Sequence, residues 1–421
     1  MLARSLYSLG VAGYGLMVRL ASLFHPKARQ WVQGRRHFPV ANATTRAGWP
    51  RIWVHCASLG EFEQGRPVIE AIMDSQPGAA VILTFFSPSG YLIRKDYPMA
   101  SQVEYLPLDS PLHARRFVEE FAPQLALFIK YEFWYHYLDA LRRRGIPYVF
   151  ISAVFRPSQV FFRSWGGWFR NRLASASGIF VQDQASLDLL HAWGIDRAVL
   201  SGDTRYDRVS QVSAQARELE GISGFIRERA CLVAGSTWPE DEKALRAVLG
   251  AADEGLCLII APHEVDESRI RSLMASLSPS AVRYSSLNES RGDARVLVID
   301  NVGMLASLYR YADLCWVGGG FGSGLHNILE PAAHGKPVLF GPVHQKFPEA
   351  AALIAAGGGF SISGGPAAVQ VILGMLARPS EVRKAGEISR EFVQKRRGAC
   401  DIIMEGIHAL KIGKDNPLPN L

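Results

Sequence analysis

Five glycines occur within seven residues, between a short apolar run and a group of polar side chains. The run Leu314–Val317 predicts a strand, and Asn327 and Glu330 follow at the predicted start of a helix. Glycines let a backbone approach a ligand closely, and a helix N-terminus attracts a phosphate. Glu330 could accept hydrogen bonds from sugar hydroxyls. The segment predicts a nucleotide or nucleotide-sugar site; the alternative is an ordinary glycine-rich turn with Glu330 as a helix-start carboxylate.

A second candidate is a carboxylate just after the first predicted strand. Gly60 permits a tight turn there, and Glu61 would stand at the mouth of the following helix. A carboxylate in that place could act as a general base on an attacking hydroxyl. The spacing from Ser58 to Glu61 also fits a helix capping box, and the spacing alone favours capping.

Further loops carry residues suited to an anionic ligand. Ser236 and Thr237 suit a phosphate, although they are equally an ordinary helix N-cap. Pro262 and His263 could hold a base edge, or His263 could simply be exposed. Arg205 could meet an anionic donor or form a surface ion pair.

The loop Val302-Gly303-Met304 could contact a nucleotide through backbone groups. Several motifs are missing from the sequence: the P-loop G-x-x-x-x-G-K-[ST], H-E-x-x-H, D-x-D and G-x-S-x-G. A phosphate site without metal ligands needs helix N-termini and basic side chains, and the sequence offers both. We therefore expect neither a metal nor a cofactor.

Length and composition bound the kind of protein. A chain of 421 residues with 48% hydrophobic and 20% charged residues predicts two globular domains. The formal charge of +7 indicates anionic partners. Without zinc-finger spacing or a long basic run, lipid and phosphate are favoured over nucleic acid. Five scattered cysteines argue for a reducing compartment; Cys231, Cys257 and Cys315 lie in apolar runs typical of buried strands.

Strand-like and helix-like segments alternate from Arg51 onwards, which predicts parallel βαβ units. One series runs to about residue 202 and a second begins at Cys231, with a polar connection and a domain boundary near 205–225. The sequence therefore predicts two doubly wound α/β domains. Ligands of such sheets bind beyond the carboxyl ends of the strands.

The first 24 residues are apolar and nearly free of charge. The uncharged stretch between Arg4 and Arg19 would span ~21 Å as a helix, whereas a bilayer core needs ~30 Å. We expect a helix in or on the membrane surface, with its basic side toward the cytoplasm; a secretory signal and a docked helix are the alternatives. Aromatic and basic residues alternate in Phe155–Arg170 and favour a lipid interface over a core helix.

Taken together, these stretches resemble the transferases of 3-deoxy-D-manno-octulosonic acid (Kdo), which attach this sugar to the lipid A precursor of lipopolysaccharide. The marks of the resemblance, in order, are HCASLGEFEQGRPVI, LFIKYEFWYHYL, ISAVFRPSQ, GDTRYDRV, AGSTWPEDE, APHE and VGGGFGSGLHNILEPAAHGKPVLFGP. The resemblance implies a GT-B fold of two facing Rossmann-like domains. It also implies inverting, metal-independent transfer on the cytoplasmic face of the inner membrane. The implied partners are CMP-Kdo, the lipid A precursor (lipid IVA) and an anionic membrane surface, without nucleic acid.

The resemblance also implies roles for particular residues. The catalytic base falls on Glu61, against the capping interpretation. Donor contacts fall on Pro262, His263, Val302, Gly303, Met304, Asn327, Ile328, Leu329 and Glu330. Arg205, Ser236, Thr237 and Lys346 are candidates for the donor phosphate or carboxylate.

The expected organisation has four parts: a membrane-associated segment (1–45), an acceptor domain (46–210), a CMP-Kdo domain (211–385), and a C-terminal helix that crosses back with a polar tail (386–421).

Two other functions are open. One is another GT-B enzyme, such as a UDP-sugar transferase or epimerase; the other is a membrane-associated nucleotide-binding module without catalysis.

Overall fold

The structure is a computed structural model that describes residues 2–277, 280–289, 294–322 and 324–411. The chain divides into two compact units. Unit 1 contains residues 1–208 and the chain from Arg397 onwards, and unit 2 contains Val209–Arg396. The expected polar tail lies outside the described residues from position 412.

Unit 1 is built on seven parallel strands in the order β3-β2-β1-β4-β5-β6-β7. Their bounds are β1 Arg51–Cys56, β2 Ala80–Phe85, β3 Gln102–Tyr105, β4 Leu125–Ile129, β5 Tyr148–Ala153, β6 Gly178–Val181 and β7 Ala198–Leu200. The strands are apolar along most of their length, as expected for a sheet covered on both faces. The predicted series of strands is confirmed.

Unit 2 repeats this architecture with the order β10-β11-β9-β8-β12-β13-β14, again all parallel. The bounds are β8 Ala230–Thr237, β9 Leu256–Pro262, β10 Ala281–Arg283, β11 Val296–Val298, β12 Leu314–Val317, β13 Val338–Phe340 and β14 Gly359–Ser361. The sequence did not predict β10. That strand is three residues long, half-buried and at the sheet edge, so it carries no apolar run.

Helices connect the strands and cover both faces of each sheet. Their bounds are α1 Leu2–Ala21, α2 Pro26–Gln33, α3 Ala43–Ala47, α4 Leu59–Ser75, α5 Pro88–Arg94, α6 Pro111–Phe121, α7 Tyr135–Arg143, α8 Gly167–Ala174, α9 Gln184–Ala192, α10 Thr204–Ala214, α11 Ile222–Ile226, α12 Pro239–Ala251, α13 Glu267–Leu277, α14 Leu305–Leu308, α15 Leu329–Ala333, α16 Pro348–Ala356, α17 Gly365–Leu376, α18 Pro379–Gln394 and α19 Ala399–Ala409. Short 3₁₀ turns occupy Val160–Phe162, Ser164–Gly166, Tyr284–Glu289 and Tyr309–Tyr311.

Alternation along the strands divides each core into two layers. In β1, Trp53 packs with the aromatic layer on one face, whereas Val54 packs with the aliphatic layer on the other. In unit 2, Cys231, Cys257 and Cys315 are all buried in one layer, as predicted for small apolar residues. Each large side chain that is buried in this way contributes about 1.5–3 kcal/mol to stability.

The C-terminal helical region is two helices, α18 in unit 2 and α19 in unit 1. Gly398 separates them in a left-handed conformation, with φ of 104°. The carboxylate of Asp207 accepts hydrogen bonds from the backbone N–H groups of Gly398 (2.7 Å) and Cys400 (3.1 Å). These bonds satisfy two otherwise unpaired donors at the start of α19 and fix the helix on unit 1.

The segment Phe155–Arg170 differs from its prediction. Phe155, Phe161 and Phe162 are buried in the core of unit 1, and among the aromatic side chains of the segment only Trp165 is largely exposed. Arg170 donates a hydrogen bond to the carbonyl of Phe161 (2.9 Å). The phenylalanines therefore have the core role that the sequence analysis considered less favoured, because both arrangements give the same alternation of aromatic and basic residues.

Helix α1 is attached to unit 1 along one face only. Tyr7 donates a hydrogen bond to Asp109 (2.5 Å), and Ser8 Oγ lies 2.9 Å from His136 Nε2. Its other face carries exposed apolar side chains: Leu2, Leu6, Leu9, Leu16 and Leu20. None of the helices in the described ranges is long and apolar enough to cross a membrane.

The buried carboxyl of Asp109 gives the attachment of α1 a pH dependence. Burial raises the pKa of Asp109 to about 7, against hydrogen bonds from Tyr7, His136 and Tyr137 that lower it. Between about pH 4 and about pH 7 the folded protein keeps a proton that the unfolded chain releases. Stability from this group therefore falls as the pH rises through that window.

We predict that Asp109→Asn removes this dependence. The quantity to compare is the free energy of unfolding of the wild type minus that of the variant. This difference should be lower at about pH 8 than at about pH 5 by on the order of 2 kcal/mol. Urea unfolding at both pH values measures it, with the exposed Asp188→Asn as the control. A difference that stays constant with pH would contradict the prediction.

Candidate functional site

The order of the strands reverses at one point in each of the two sheets. In unit 1 the reversal lies between β1 and β4, and in unit 2 it lies between β8 and β12. Helices leave such neighbouring strands toward opposite faces, so a crevice opens at the carboxyl ends. The loop before Glu61 follows β1, and the glycine-rich loop follows β12. Both leading candidate segments therefore lie at reversal points.

Glu61 is the third residue of α4, and Ser58 occupies the N-cap position. The hydroxyl of Ser58 donates to the carboxylate of Glu61 and does not cap a backbone N–H. The capping-box arrangement is thus not formed by the Ser58 side chain. Glu61 is half-buried, and its negative charge adds to burial in raising the pKa of the Cys56 thiol at the end of β1.

A second carboxylate follows β4 at the same reversal point. Glu132 accepts a hydrogen bond from the indole of Trp134 (2.7 Å) and lies 3.3 Å from Nε2 of the buried His55. The other ring nitrogen of His55 is 2.8 Å from the hydroxyl of Thr84. These contacts fix the direction of the Glu132 side chain. No role for Glu132 was predicted from the sequence, since its contact with His55 joins residues that are 77 positions apart in the chain.

A buried carboxylate organises the reversal point of unit 2. Asp241, in the first turn of α12, is fully buried. It accepts hydrogen bonds from the backbone N–H groups of Trp238 and Gly319 (both 3.0 Å) and from the indole of Trp316 (3.1 Å). One side chain thus joins the start of α12, the end of β12 and the glycine-rich loop. The sequence analysis missed Asp241; its position three residues after Trp238, before an apolar run, was the available signal.

Three rings lie against one another beside this carboxylate. The Trp238 and His263 rings are stacked with centroids 4.7 Å apart, and the His263 and His326 centroids are 4.5 Å apart. The indole of Trp238 donates to Nε2 of His326 (3.1 Å). Because an indole can only donate, Nε2 is the acceptor and a neutral ring carries its proton on Nδ1. Burial, and then the neighbouring His263, lowers the pKa of His326 to about 4.

The glycines themselves serve close backbone packing. A Cβ on Gly318 would lie 2.2 Å from the carbonyl oxygen of Ser236, and one on Gly320 would lie 2.5 Å from the backbone nitrogen of Gly341. Gly319 also has a positive φ of 89°. Gly318 and Gly320 require glycine because the backbone of a neighbouring segment lies too close for a Cβ, and Gly319 favours glycine because of its positive φ. The phosphate-cradle interpretation is not needed to explain them.

The residues that were predicted to contact the donor around the start of α15 differ in how exposed their side chains are. Asn327 is exposed; its amide donates to Glu330 (3.0 Å), and its oxygen accepts from the N–H of Leu329 (3.1 Å). The side chains of Ile328 and Leu329 are buried, so only their backbone groups could reach a ligand. The polar pair of Asn327 and Glu330 is the part of this segment that presents side chains.

The remaining donor candidates of unit 2 lie in loops after its strands. Pro262 ends β9, and the N–H of His263 donates to the carbonyl of Thr237 (3.0 Å), which places these two loops side by side. Val302 and Gly303 are exposed just before α14. Met304 occupies the N-cap position of that helix.

The phosphate candidates differ in their exposure and in the partners of their side chains. The hydroxyl of Thr237 is buried and donates to Glu242 (2.9 Å), while Ser236 is half-buried with a positive φ of 52°. Lys346 is exposed in the loop before α16. Arg205 lies in unit 1 and forms an ion pair with Asp203 (2.7 Å).

We predict that Asp241→Asn destabilises unit 2, because an amide NH₂ would face one of the three donors. The free energy of unfolding should fall by about 1–3 kcal/mol, measured by urea unfolding with tryptophan fluorescence. The control is Asp253→Asn, an exposed carboxyl that accepts one backbone hydrogen bond (2.9 Å); its effect should stay within about 0.5 kcal/mol. Equal stability of the two variants would refute the organising role of Asp241.

Solved structures of low sequence identity share this fold. A UDP-GlcNAc 2-epimerase from Neisseria meningitidis bound to UDP-GlcNAc superposes with a TM-score of 0.60 at 16% identity, covering 85% of this chain and 100% of that one. A putative UDP-N-acetylglucosamine 2-epimerase from Listeria monocytogenes gives 0.58 at 13% identity, covering 88% and 98%. The predicted α/β fold of GT-B type, with two doubly wound sheets, is confirmed.

Sequence comparison finds similarity to one family. Residues 29–208 match the family model described as 3-deoxy-D-manno-octulosonic-acid transferase (kdotransferase). The Kdo transferase of Bordetella pertussis is 28% identical over 367 residues, covering 83% of this chain and 84% of the relative. That of Haemophilus influenzae is 26% identical over 403 residues, covering 92% and 93%. That of Rickettsia felis is 26% identical over 302 residues, covering 69% and 64%. The resemblance to the Kdo transferases is therefore confirmed, and it extends over most of the chain.

Proposed function

We propose that the protein transfers Kdo from CMP-Kdo to the lipid A precursor lipid IVA, with inversion and without a metal ion. The observation that supports this proposal most directly is the position of the Glu61 carboxylate and its hydrogen bond. Its carboxylate lies at the reversal point of unit 1 and is held by the hydroxyl of Ser58 rather than used in a capping box. A carboxylate in that place can take a proton.

The reaction is a direct displacement. Glu61 removes the proton from a glucosamine hydroxyl of the acceptor, whose oxygen forms a bond to the anomeric carbon of Kdo. The bond from that carbon to the phosphate oxygen breaks, and its electron pair leaves with CMP. Attack opposite the leaving group inverts the configuration. The contact with Ser58 orients the carboxylate, which matters because general bases act only within hydrogen-bond reach.

We assign the acceptor to unit 1 and the donor to unit 2. The carboxylate of Glu330, oriented by Asn327, suits the ribose hydroxyls of a nucleotide. His263, fixed by its stack with Trp238, suits an edge of the base. The exposed backbone of Val302-Gly303-Met304 is a further contact in this assignment.

Charge on the departing phosphate needs stabilisation by positive or N–H groups. We assign this role to the backbone near Asn327, with Ser236, Thr237, Lys346 and Arg205 as further candidates. Arg205 and Thr237 already have partners, so Ser236 and Lys346 fit the role better. The described residues contain no group of three or more His, Cys, Asp or Glu side chains that could hold a metal ion.

A location at the cytoplasmic face of the inner membrane fits a lipid acceptor. The exposed leucines of α1 form one apolar face, and arginines such as Arg4 and Arg19 flank it. An amphipathic helix of this kind lies in the plane of the membrane interface. The membrane would then present the lipid acceptor to unit 1.

The competing function is that of another GT-B enzyme acting on a UDP-sugar. It follows from the fold shared with UDP-GlcNAc 2-epimerases. Nucleotide binding separates the two: CMP should raise the melting temperature of the wild type more than UDP does at the same concentration. Stronger protection by UDP would favour the competitor.

We predict that Glu61→Gln lowers Kdo transfer by about 10²–10⁴-fold while CMP still protects the variant against unfolding. The matched control is Glu63→Gln, two residues along α4, whose carboxylate pairs with Arg94 (2.7 Å); it should retain transfer. A radiolabelled Kdo-transfer assay with a CMP-Kdo generating system measures both. Normal turnover by Glu61→Gln would remove Glu61 as the base.

We predict that Glu330→Gln weakens CMP binding by roughly 10- to 100-fold, the loss expected for a hydrogen bond to a charged group. Glutamine can still accept from Asn327, so the local structure should persist. Isothermal titration with CMP measures the affinity, and Glu381→Gln on α18 provides an exposed control in the same unit. Unchanged affinity would count against the ribose role.

A further inference from the structure

A cavity of about 380 Å³ lies in unit 1 beside α1, apart from the residues assigned to transfer. Its lining is strongly basic and, among the described residues, contains no Asp or Glu. The basic members are Arg19, Arg35, Arg36, Arg116, His37 and His113. Such a concentration of one sign of charge attracts anions.

Arg35 is the least exposed arginine of the lining, so it would gain most from an anion in the cavity. Its guanidinium donates to three backbone carbonyls: Phe86 (2.7 Å), Leu106 (2.8 Å) and Trp31 (3.3 Å). Its central carbon also lies 4.0 Å from the centre of the Trp31 ring. These partners are neutral, and burial lowers the pKa of Arg35 to about 9. A partly buried cation that lacks a counter-ion is costly, and an anion in the cavity would compensate it.

Two other basic residues of the lining contact one aromatic ring, that of Phe38. Arg116 is exposed and its guanidinium lies 4.2 Å from the centre of the Phe38 ring. His113 lies on the same ring, with centroids 6.0 Å apart. Arg19, on α1, is also exposed. Two exposed cations and one half-buried cation on the same lining suit an anion that enters from solvent.

The position of the cavity on α1 indicates where the anion comes from. Gly15 and Arg19 line the cavity, and the exposed Leu16 and Leu20 follow each of them by one residue, about 100° around the helix. If the leucines lie in the acyl-chain region, the cavity opens at the depth of the lipid headgroups. The occupant would then be part of a lipid whose chains lie under α1.

We propose that this cavity binds the phosphate headgroup of an anionic membrane phospholipid. Planar guanidinium groups match the oxygen geometry of phosphate. The cavity is large enough for a glycerophosphate group, and its positive lining disfavours a headgroup that also carries an ammonium. The proposal does not depend on the transfer reaction.

The test is flotation of the full-length protein with vesicles of phosphatidylcholine alone or mixed with phosphatidylglycerol. Arg19→Glu/Arg116→Glu should lower binding to the mixed vesicles by about tenfold or more, since each basic residue near an anionic surface contributes to binding. Arg383→Glu/Lys384→Glu, at exposed positions of α18, makes the same change in net charge and should lower binding less than about threefold.

Fold integrity is checked by circular dichroism and melting of each variant, and Arg19→Gln/Arg116→Gln provides a milder change that should also weaken binding. Equal losses in the cavity and control variants would overturn the proposal, because they would indicate attraction by net charge alone. Phosphatidylglycerol binding that persists while binding to vesicles of the lipid A precursor is lost would also overturn it and assign the cavity to the acceptor. Transfer activity does not enter the measurement.

Discussion

Parallel strands whose order reverses within a sheet leave an opening at their carboxyl ends, because the helices that follow the two central strands depart to opposite faces. Each unit of this protein has one such reversal, between β1 and β4 and between β8 and β12. The strands are mostly apolar and buried on both faces, and their polar side chains His55 and Thr84 are themselves buried. The loops at the reversal points are therefore where Glu61 and the glycine-rich segment stand. The proposed chemistry depends on this constraint.

Unit 2 shows how such a loop is held in place. The buried Asp241 needs donors to offset the loss of water, and it takes them from Trp238, Trp316 and Gly319. Trp238 in turn donates to His326 and stacks on His263. Asp241 thus fixes the beginning of the glycine-rich loop, and Trp238 connects it to His326 after the last glycine. The glycines permit the close packing, whereas Asn327 and Glu330 remain for a ligand.

Much of the fold could be predicted from the sequence because buried parallel strands are continuous apolar runs. The short edge strand β10 lacks such a run and could not be predicted. The position of Glu61 at a helix start was predicted, but its partner was not, since the same spacing lets Ser58 bond a backbone N–H or a carboxylate. Asp241 was missed because its partners Trp316 and Gly319 lie 75 and 78 residues away. The basic cavity was missed for the same reason: Arg35 and Arg116 are distant in sequence.

The central claim is that this chain adds Kdo from CMP-Kdo to a lipid A precursor. Mass spectrometry of the lipid product tests it most directly, with purified protein, CMP-Kdo and lipid IVA as the components. The account predicts that the mass of the lipid increases by whole Kdo residues and that the increase requires CMP-Kdo. An unmodified lipid, together with turnover of a UDP-sugar by the same preparation, would contradict it.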